Sequence, residues 1–530
     1  MKIKKVIAGT LACVLIAGTL SACSGDTSKT ESENNQKVTL AWWTPNMANK
    51  YVSSYNEIEA FKKVQEINNV EIEYIHPSVG QEAQQFNIMI ASGSYPDLID
   101  WNWSDEYIGG INKAVKDGVI LDIDNKVKSS ATNYLKKLNE NPNFLKSVKT
   151  YDGKILTFNT IKDSPKVNSY YGPQIRKDWL DKLGLAVPKT IDEWHEVLMA
   201  FKTKDPNGNG KMDEIPFAEA KHMNLSAFSA AWGVLKGEFY KNPKGEFVYG
   251  SIEPEFKSYL ETMNKWYSEG LIDSEFAAMP SKNVDENMTS DISGAYVGYI
   301  GSQMGNYLAT KSKENPDYNI VGTSWPIGPA GKDYCAFTNM LKQVENGYGT
   351  AITTTNKHVE ESIKLLDFNY SEEGIALHNW GIEGKTYDKE NSGYKYSDLI
   401  VKNPDGKDPI NVLAKYTLPI FGGFGKVMNG DAYEAISQVF PQQKEAAETW
   451  TKGDNSLLMQ SISYTEDESI KINNIMSSIK KYEDDMFVKI IMGITPISEF
   501  DNYVKEIKTM GIDEVIQIKK KAYERYESLK

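Results

Sequence analysis

The sequence predicts an α/β protein with two lobes and a helix-rich C-terminal part. Strand and helix signals alternate in the first hundred residues after Val38, and they alternate again from Asn168 to about Trp325. Beyond residue 360 the patterns are mostly helical. Length supports two lobes, because a chain of about 500 residues is too long for one hydrophobic core.

The first alternating stretch begins with a strand at 38–43. A helical pattern at 58–67 and a period-two strand at 70–75 follow, and then come a helix at 83–91 and a buried strand at 96–100. Strands separated by short helices favour β-α-β units around a mainly parallel sheet. Ligands of such sheets bind at the carboxyl ends of the strands, so the residues that follow each strand are candidates for a binding site.

The rest of the chain is predicted from helical spacing. The patterns cover 177–183, 191–203, 255–268, 360–368, 475–491 and 501–529. From this order we predict an N-terminal lobe formed by 37–160 and 325–360, and a C-terminal lobe formed by 161–324 and 361–530.

The N-terminus has the pattern of an export signal. Lys2, Lys4 and Lys5 precede an apolar run at 6–20, which is short for a membrane span and ends in Leu20-Ser21-Ala22-Cys23. This tetrad resembles a bacterial lipobox. We therefore predict a signal peptide at 1–22, a lipidated Cys23, and a polar tether that extends to residue 36. The alternative is an ordinary secretory signal followed by an incidental cysteine.

Composition narrows the class of ligand. Loss of the signal leaves 56 basic and 72 acidic residues, so the mature chain carries a net charge of −16, which argues against nucleic acid and anionic lipid surfaces. Arg176 and Arg525 are the only arginines. Because planar anions are held best by guanidinium groups, this composition favours a neutral ligand.

The cysteines and histidines of the sequence indicate neither a disulfide nor a catalytic or zinc site. Cys13 leaves with the signal and Cys23 carries lipid, so Cys335 remains alone and no intramolecular disulfide forms. We predict that Cys335 is a small buried hydrophobe rather than a catalytic thiol. The five histidines show no short-spaced metal motif, which argues against a zinc site built from His and Cys.

One loop has the spacing of a calcium site. Oxygen-bearing side chains fall at positions one, three, five and nine of the segment that starts at Asp205, with Gly210 at position six. An EF-hand loop uses this spacing, but Pro216 stands at position twelve, so Glu214 at position ten would supply the last carboxylate. The predicted ligands of a structural Ca²⁺ are Asp205, Asn207, Asn209, the carbonyl of Lys211, Asp213 and Glu214. The alternative is a plain turn, which the same residues also favour.

Several segments carry a family resemblance. They are Gly-Ser-Tyr-Pro-Asp-Leu at 93–98, the segments 171–184 and 188–194, and Trp-Gly-Ile-Glu-Gly-Lys-Thr-Tyr at 380–387. With the lipobox, they resemble the extracellular solute-binding proteins, family 1, of ABC importers, in the large lipoprotein subgroup of Gram-positive bacteria. The segment 205–216 resembles the calcium loop of the alginate-binding members.

The resemblance implies a periplasmic-binding-protein-like fold, whose two lobes are joined by hinge crossovers and close on an oligosaccharide. It also implies partners, namely the permease subunits of an ABC importer and their cytoplasmic ATPase. The receptor is expected to be a monomer and not an enzyme. Its lipid would anchor it to the extracellular face of the cell membrane.

Sugar rings present apolar faces and polar rims, so a sugar cleft needs aromatic platforms and paired donors and acceptors. By position near strand ends, the candidate ligand-binding residues are Trp43, Asn46, Trp101, Trp103, Trp232 and Trp325, followed by Trp380 and Tyr171. Core packing is the alternative for each of these aromatics. Trp179, Trp194 and Trp266 are assigned to the core because apolar neighbours flank them at helical spacing.

Two other functions remain open at this point. A receptor for a non-sugar solute such as a peptide would have to pair charged termini with few arginines. A secreted glycoside hydrolase would need two carboxylates about 5–10 Å apart across the cleft. The sequence marks out no such pair.

Overall fold

The computed structural model describes residues 37–219, 225–278, 281–344, 347–391, 393–402, 409–420 and 424–529. The predicted signal peptide, Cys23 and the tether to residue 36 lie outside these ranges. The chain divides at Lys37 into two units, and the description below concerns the second, Val38–Lys530.

The described strands are numbered in chain order. They are β1 (Val38–Trp43), β2 (Val70–Ile75), β3 (Leu98–Asn102), β4 (Ile161–Lys162), β5 (Tyr171–Arg176), β6 (Ile215–Phe217), β7 (Phe239–Lys241), β8 (Phe247–Tyr249), β9 (Ser293–Tyr299), β10 (Ile320–Gly322), β11 (Tyr348–Ile352), β12 (Tyr387–Glu390), β13 (Gly393–Tyr396) and β14 (Val427–Met428).

The α-helices are numbered in the same way. They are α1 (Glu59–Ile67), α2 (Glu82–Ser92), α3 (Gly110–Lys116), α4 (Asp124–Ser130), α5 (Thr132–Asn139), α6 (Pro142–Val148), α7 (Lys177–Leu183), α8 (Ile191–Thr203), α9 (Pro254–Ser268), α10 (Ser281–Thr289), α11 (Asn306–Lys311), α12 (Val359–Phe368), α13 (Glu372–Asn379), α14 (Asp398–Val401), α15 (Pro409–Leu413), α16 (Gly430–Ser437), α17 (Pro441–Thr451), α18 (Glu466–Ile491), α19 (Phe500–Thr509) and α20 (Ile512–Ser528).

Two four-stranded sheets organise the molecule, and they confirm the predicted α/β class. The first has the order β11-β3-β1-β2, in which β1 pairs in parallel with β2 and β3, and β11 pairs antiparallel with β3. The second has the order β10-β5-β9-β6 and mixes antiparallel pairs with the parallel pair β6–β9. The mainly parallel sheet is thus confirmed for the first stretch only.

Each sheet has its own hydrophobic core. Leu40, Ile72 and Leu98 lie in the first core, and Ile175, Phe217 and Val297 lie in the second. The C-terminal helices α18 and α20 complete the second core with side chains that include Phe487 and Val515. Ile363, Leu366, Leu418 and Val427, by contrast, pack in the first core.

That packing bears on the predicted lobe boundaries. We placed 361–530 in the C-terminal lobe, whereas α12, Leu377 of α13 and the segment around Leu418 and Val427 pack with the first sheet. Trp380, Tyr396 and Leu413 form a separate small cluster with α16. The division into lobes stays a prediction, and we propose a first lobe that also takes in residues 361–427. The periodicity of α12 and α13 cannot show which of two sheets they cover.

Three connecting segments link residues of the first core to residues that pack with the second lobe, and they lie side by side: the first at 159–170, the middle at 323–344 and the third at 424–430. Strand β4 pairs in parallel with β14, so that Ile161 faces Val427, and Ile161 also bridges to Val344 of the middle segment. The Ile161 amide donates to the carbonyl of Lys426 at 2.8 Å. Backbone pairing therefore joins the three connecting segments to one another.

Local sequence signals explain most helix ends. Helix α8 begins at a capping box of Thr190 and Glu193, and α7 ends at Gly184, whose φ of 68° suits glycine. The single helix predicted at 501–529 is wrong, since α19 and α20 are separate. Gly511 breaks it with a φ of 105°, in the left-handed region that side chains disfavour.

The predicted core residues are confirmed. Trp179, Trp194 and Trp266 are at most 1% exposed. Cys335 is fully buried, and burial raises the pKa of its thiol to about 12, which suits an inert side chain. Among the described helices, none combines the length and apolar character needed to cross a bilayer.

Candidate functional site

A cavity of about 870 Å³ lies between segments that follow β1 in the first sheet and β9 in the second. We call it the large cavity. Its lining residues are Met47, Asn49, Lys50, Tyr51, Gly301, Ser302, Gly305, Asn306, Ala309, Thr310, Lys313, Glu314, Pro409, Ile410, Ile420, Ile436, Ser437, Val439, Phe440 and Gln443. Amides and hydroxyls alternate with apolar groups, and its volume falls in the range of roughly 300–1,000 Å³ typical of small-molecule sites.

The wall from the second sheet has an unusual backbone. A π-helical turn, Ile300–Gly305, connects β9 to α11 and brings Gly301 and Ser302 to the cavity. Such turns often occur at functional sites. Gln443 fixes this turn, because its side-chain amide donates to the Ile300 carbonyl at 2.6 Å and to the Ser437 carbonyl at 2.9 Å.

An aromatic group lies at the same end of the second sheet. Tyr171 contacts both Tyr299 and Phe337 with ring centroids 5.2 Å apart, and Tyr170 lies 4.9 Å from Phe337. Tyr299 is 49% exposed and precedes the π-helical turn directly. Tyr170 also packs in a small cluster with Ile420, a residue of the large cavity. Apolar ring faces therefore border the polar cavity.

A smaller cavity of about 200 Å³ lies where the first sheet, the middle connecting segment and the C-terminal helices meet. Its lining residues are Ser104, Asp105, Leu235, Glu238, Phe239, Tyr240, Phe247, Thr338, Lys342, Leu457, Met459, Gln460, Ser461, Ile462, Tyr464 and Lys519. Thr338 directly follows Phe337 of the aromatic group. The aromatic group thus has neighbours in both cavities.

Neither arginine lines these cavities. Arg176 is 0% exposed and pairs with Asp178 at 2.6 Å and Asp291 at 2.5 Å. Arg525 pairs with Glu468 at 2.7 Å. The two guanidinium groups of the chain are therefore committed to structure, so an anionic ligand would have to rely on lysines.

The structure buries the predicted ligand-binding tryptophans. Trp43 and Trp101 pack edge to face with centroids 5.2 Å apart, and Trp103 donates its indole N–H to the Gly349 carbonyl at 3.2 Å. Trp232 and Trp325 lie in cores of the second lobe. Trp380 packs on Tyr396, 4.7 Å away.

Of the eight predicted residues, none is among the described residues that line either cavity. Tyr171 belongs to the aromatic group, and Asn46 stands next to Met47 but bonds within its own turn, to Ala48 and Val52. Ligand contact by these eight residues stays a prediction. The tryptophans at the ends of β1 and β3 instead pack against one another beside the first sheet.

The cavity residues missed by sequence reasoning follow strands by a few positions. Asn49 and Lys50 come after β1, and Ser302 and Asn306 come after β9. Polar residues a few positions beyond a strand end therefore line the large cavity, in addition to the aromatic candidates that the strand-end rule indicates. The residues from 409 to 443 gave no local signal.

The loop predicted to bind calcium wraps around Asp205. One oxygen of this carboxylate accepts from the amides of Gly208 and Asn209, and the other accepts from Gly210 at 3.0 Å. Asn209 donates to Asp213 at 3.0 Å. Hydrogen bonds within one turn thus link three of the predicted ligands, Asp205, Asn209 and Asp213.

Glu214 is the residue that distinguishes this loop from a plain turn. It is 8% exposed, and both of its carboxylate oxygens are buried without a hydrogen-bond partner. Burial, with the nearby charges of Asp205 and Asp213, raises its pKa. An unpartnered buried carboxylate is costly unless a cation faces it.

No group of three His, Cys, Asp or Glu side chains that could hold a metal occurs among the residues described. The predicted set combines carboxylates with amides and a carbonyl, which is the oxygen chemistry that Ca²⁺ accepts. The residues present therefore fit a calcium ion by donor type and by the orphaned Glu214.

Comparison with known proteins gives a family match over residues 44–376, to a model described as bacterial extracellular solute-binding protein. The fructooligosaccharide ABC transporter substrate-binding protein FusA of Streptococcus pneumoniae is 26% identical, over 84% of this chain and 83% of its own. Lipoprotein LipO of Bacillus subtilis is 28% identical over 73% and 74%. The polygalacturonan/rhamnogalacturonan-binding protein YtcQ of Bacillus subtilis is 25% identical over 96% and 97%.

Solved structures share the fold. Alginate-binding protein AlgQ2 without calcium ion matches with a TM-score of 0.74 at 24% identity, over 92% of this chain and 98% of its own. S. pneumoniae FusA in complex with kestose gives 0.74 at 24% identity, over 93% and 100%. An EF-hand mutant of FusA in complex with fructo-nystose gives 0.72 at 23%, over 93% and 100%. At these identities the likeness establishes the architecture.

Proposed function

The chain belongs to the bacterial extracellular solute-binding proteins, and from that premise we propose that it is the receptor of an ABC importer that captures a neutral oligosaccharide. The large cavity carries the proposal. It is lined by segments that follow strands of both sheets and that carry amide and hydroxyl groups. Tyr299, which is 49% exposed, directly precedes the π-helical turn in its wall and contacts Tyr171. Sugars need that combination of paired donors and acceptors with flat apolar faces.

The geometry also supports capture by closure. A ligand in the large cavity would touch Asn49 and Lys50 of the first lobe together with Ser302 and Asn306 of the second. A ligand shifts the balance between open and closed forms only as far as it binds the closed form better. Contacts that need both lobes supply that difference, and the paired connecting segments are where the motion would pivot.

Relatives support a sugar. FusA is named for fructooligosaccharide, and YtcQ for polygalacturonan and rhamnogalacturonan. We favour a neutral ligand because Arg176 and Arg525 are engaged in ion pairs outside the cavities. In the proposed role, the closed receptor docks on the permease subunits and delivers its sugar to them. A cytoplasmic ATPase then powers transport through the permease.

The first test is a thermal-shift screen of the protein from residue 24 onward. Kestose, maltotriose, xylotriose and trigalacturonic acid are the sugar probes, and a mixed tripeptide library is the control. A ligand that binds only the folded state stabilises it by about 2.7 kcal/mol at a hundredfold excess over its Kd. We expect a clear rise in Tm with one or more neutral sugars.

Three other results would each contradict a part of the proposed function. A shift with peptides alone would replace the sugar receptor by a peptide receptor. Release of shorter sugars from a bound probe, followed by chromatography over hours, would indicate a glycoside hydrolase. A shift with trigalacturonic acid alone would contradict the neutral ligand.

We propose further that the Asp205 loop binds one structural Ca²⁺. The ligands would be Asp205, Asn207, Asn209, the carbonyl of Lys211, Asp213 and Glu214. The loop is joined to the second lobe, because Asn207 donates to the Asp291 carbonyl at 3.1 Å and Asp291 pairs with the buried Arg176. The ion would therefore staple the loop to the second sheet.

Removing one ligand tests the calcium site. We expect Ca²⁺ to raise the Tm of the wild type above its value in EGTA, and Asp205→Ala and Glu214→Gln to lose that calcium-dependent rise. Asp317→Ala removes an exposed carboxylate outside the loop and is the matched control. A calcium-dependent rise of unchanged size in Asp205→Ala would refute the site.

The remaining parts of the proposal concern location and assembly. We propose that lipid on Cys23 anchors a monomer to the extracellular face of the cell membrane, as the lipoprotein name of LipO suggests. Metabolic labelling with a palmitate analogue, compared between the full chain and Cys23→Ala, tests the anchor.

A further inference from the structure

The smaller cavity holds a charged group that no function described so far uses. We propose that this cavity is a second sugar subsite, that it takes one terminal uncharged unit of the ligand, and that Glu238 determines its specificity by accepting hydrogen bonds from sugar hydroxyls. The inference rests on the proposed function. It adds a position, a size limit and a specificity-determining residue to it.

The position of the smaller cavity suits a ligand that bridges the lobes. Ser104 and Asp105 follow β3 of the first sheet, whereas Glu238 and Phe239 belong to the second lobe. Thr338 and Lys342 come from the middle connecting segment. A group bound here would touch both lobes close to the segment that joins them, and it would favour the closed form.

Its size limits what enters. The volume of about 200 Å³ is below the roughly 300–1,000 Å³ of pockets that hold whole drug-sized ligands. The large cavity is more than four times as big. One ring at the end of a chain therefore fits this volume. Thr338 of the smaller cavity directly follows Phe337 of the aromatic group in the sequence.

Glu238 is placed to meet a ligand. Its side chain is solvent-exposed, and among the described residues no hydrogen bond or ion pair reaches its carboxylate. The protein atoms around the carboxylate nevertheless displace part of its hydration, and this desolvation raises the pKa of Glu238. The charges of Lys342 and Lys519 act in the opposite direction and lower it. Exposure to solvent together with partial desolvation is what a group on the wall of a narrow cavity shows.

Lys519 supplies a donor that is already in position. Its ammonium donates to the Tyr464 hydroxyl at 3.0 Å and lies 4.6 Å from the centre of the Phe239 ring. The Tyr464 ring lies 5.0 Å from the same ammonium. These contacts fix a long side chain, so little conformational entropy is lost when a sugar oxygen accepts its third N–H.

The charges of the cavity favour an uncharged unit. Asp105 and Glu238 are matched in number by Lys342 and Lys519. Since these charges balance, an added carboxylate would leave the cavity with an excess negative charge, whereas hydroxyls can donate to the acids and accept from the lysines at once. Phe239, Phe247 and Tyr464 offer ring faces for the apolar side of the sugar.

The experiment measures affinity in charge-neutral variants. Isothermal titration uses whichever of kestose, maltotriose and xylotriose binds the wild type most tightly. We expect Glu238→Gln to weaken binding at least tenfold and Glu238→Asp to weaken it less, because the aspartate keeps the charge with a shorter reach. The Tm of the ligand-free variants should stay within about 2 °C of the wild type, since the carboxylate has no partner to lose.

Glu524→Gln is the matched control, because Glu524 is an exposed acid on α20 outside the cavity and should leave affinity unchanged. Equal affinity of Glu238→Gln and the wild type would overturn the subsite and leave the sugar receptor standing. Failure of the wild type to bind any of the three sugars would overturn the neutral sugar receptor, and the subsite with it.

Discussion

Replacing Glu483 with alanine is expected to lower the free energy of unfolding by about 3–5 kcal/mol, the usual loss when one partner of a buried ion pair is removed. Glu483 is 1% exposed and lies on α18 within the second lobe. It pairs with Lys236 at 3.0 Å, accepts from Ser251 at 2.8 Å, and accepts from the Tyr249 hydroxyl. The alanine variant would leave these donors buried around an empty space.

Lys236 shows why the loss is large. Burial alone would lower the pKa of its ammonium, but Glu483 and then Asp484 outweigh burial, so the pKa is raised. Without Glu483, the buried charge keeps only Asp484, which is 45% exposed on its side chain and weakly effective because water screens it.

Equilibrium denaturation in guanidinium, followed by tryptophan fluorescence, measures the loss. Asp484→Ala is the matched control, since it removes an acid that contacts the same lysine from the surface, and it should cost about 1 kcal/mol or less. Glu483→Gln keeps an acceptor for Ser251 and should fall between the two. Equal midpoints for Glu483→Ala and Asp484→Ala would contradict the buried-pair explanation.

The second large effect concerns Lys426→Met. We expect the difference in folding stability between this variant and the wild type to change sign with pH. Lys426 lies in the third connecting segment and is fully buried. Because burial disfavours the charged ammonium, it lowers the pKa of Lys426 to about 7. Its ammonium donates to the Leu418 carbonyl and lies 4.9 Å from the centre of the Phe424 ring. No acid pairs with it among the residues described.

The sign follows from proton linkage. An unfolded lysine titrates near pH 10.4, so between pH 7 and 10.4 the unfolded chain holds a proton that the folded amine has released. Stability from this group therefore rises with pH across that window, by about 1.4 kcal/mol per unit, and it is lowest below pH 7. Buried His378, whose pKa is lowered to about 3 by burial and then by Lys426, stays neutral throughout.

Methionine removes the cost of the buried charge but leaves the Leu418 carbonyl without its donor, which costs about 1–3 kcal/mol. We expect the variant to be more stable than the wild type at pH 6, where the charge cost of roughly 4–5 kcal/mol dominates, and less stable at pH 10, where only the lost hydrogen bond counts. Denaturation midpoints at both pH values measure this. Lys62→Met, at an exposed site, is the control, and a Lys426→Met difference that is independent of pH would disprove the assignment.

Much of the fold could be predicted from periodicity. The helices at 177–183 and 191–203 have the predicted bounds, because an apolar stripe and end signals such as Thr190 and Gly184 act locally. The break at Gly511 was missed, since helical spacing continues across it and only the backbone angle of one glycine interrupts the helix. Which sheet α12 and α13 cover depends on contacts between remote residues, and no local pattern carries that information.

The site was less accessible to sequence reasoning than the fold. A calcium loop consists of consecutive residues, so its spacing can be seen in one line of sequence. The large cavity joins residues near 49, 302, 410 and 440, and their proximity depends on the folded chain. Tryptophan is an ambiguous guide, because a large apolar side chain serves a core as well as it serves a sugar, and Trp43 and Trp101 do pack in a hydrophobic cluster.

The late pairing of β11 with β3 has a consequence for biogenesis. Trp103 and Gly349 are 246 residues apart in sequence, yet the indole of one bonds the carbonyl of the other, and the first core also needs side chains as late as Val427. The N-terminal half emerging from the ribosome therefore cannot complete a stable unit, and such long-range pairing folds slowly. In the proposed export of this receptor, the polypeptide would stay unfolded long enough to pass through a translocation pore. Holdase chaperones and proteases would compete for it until its last third arrives.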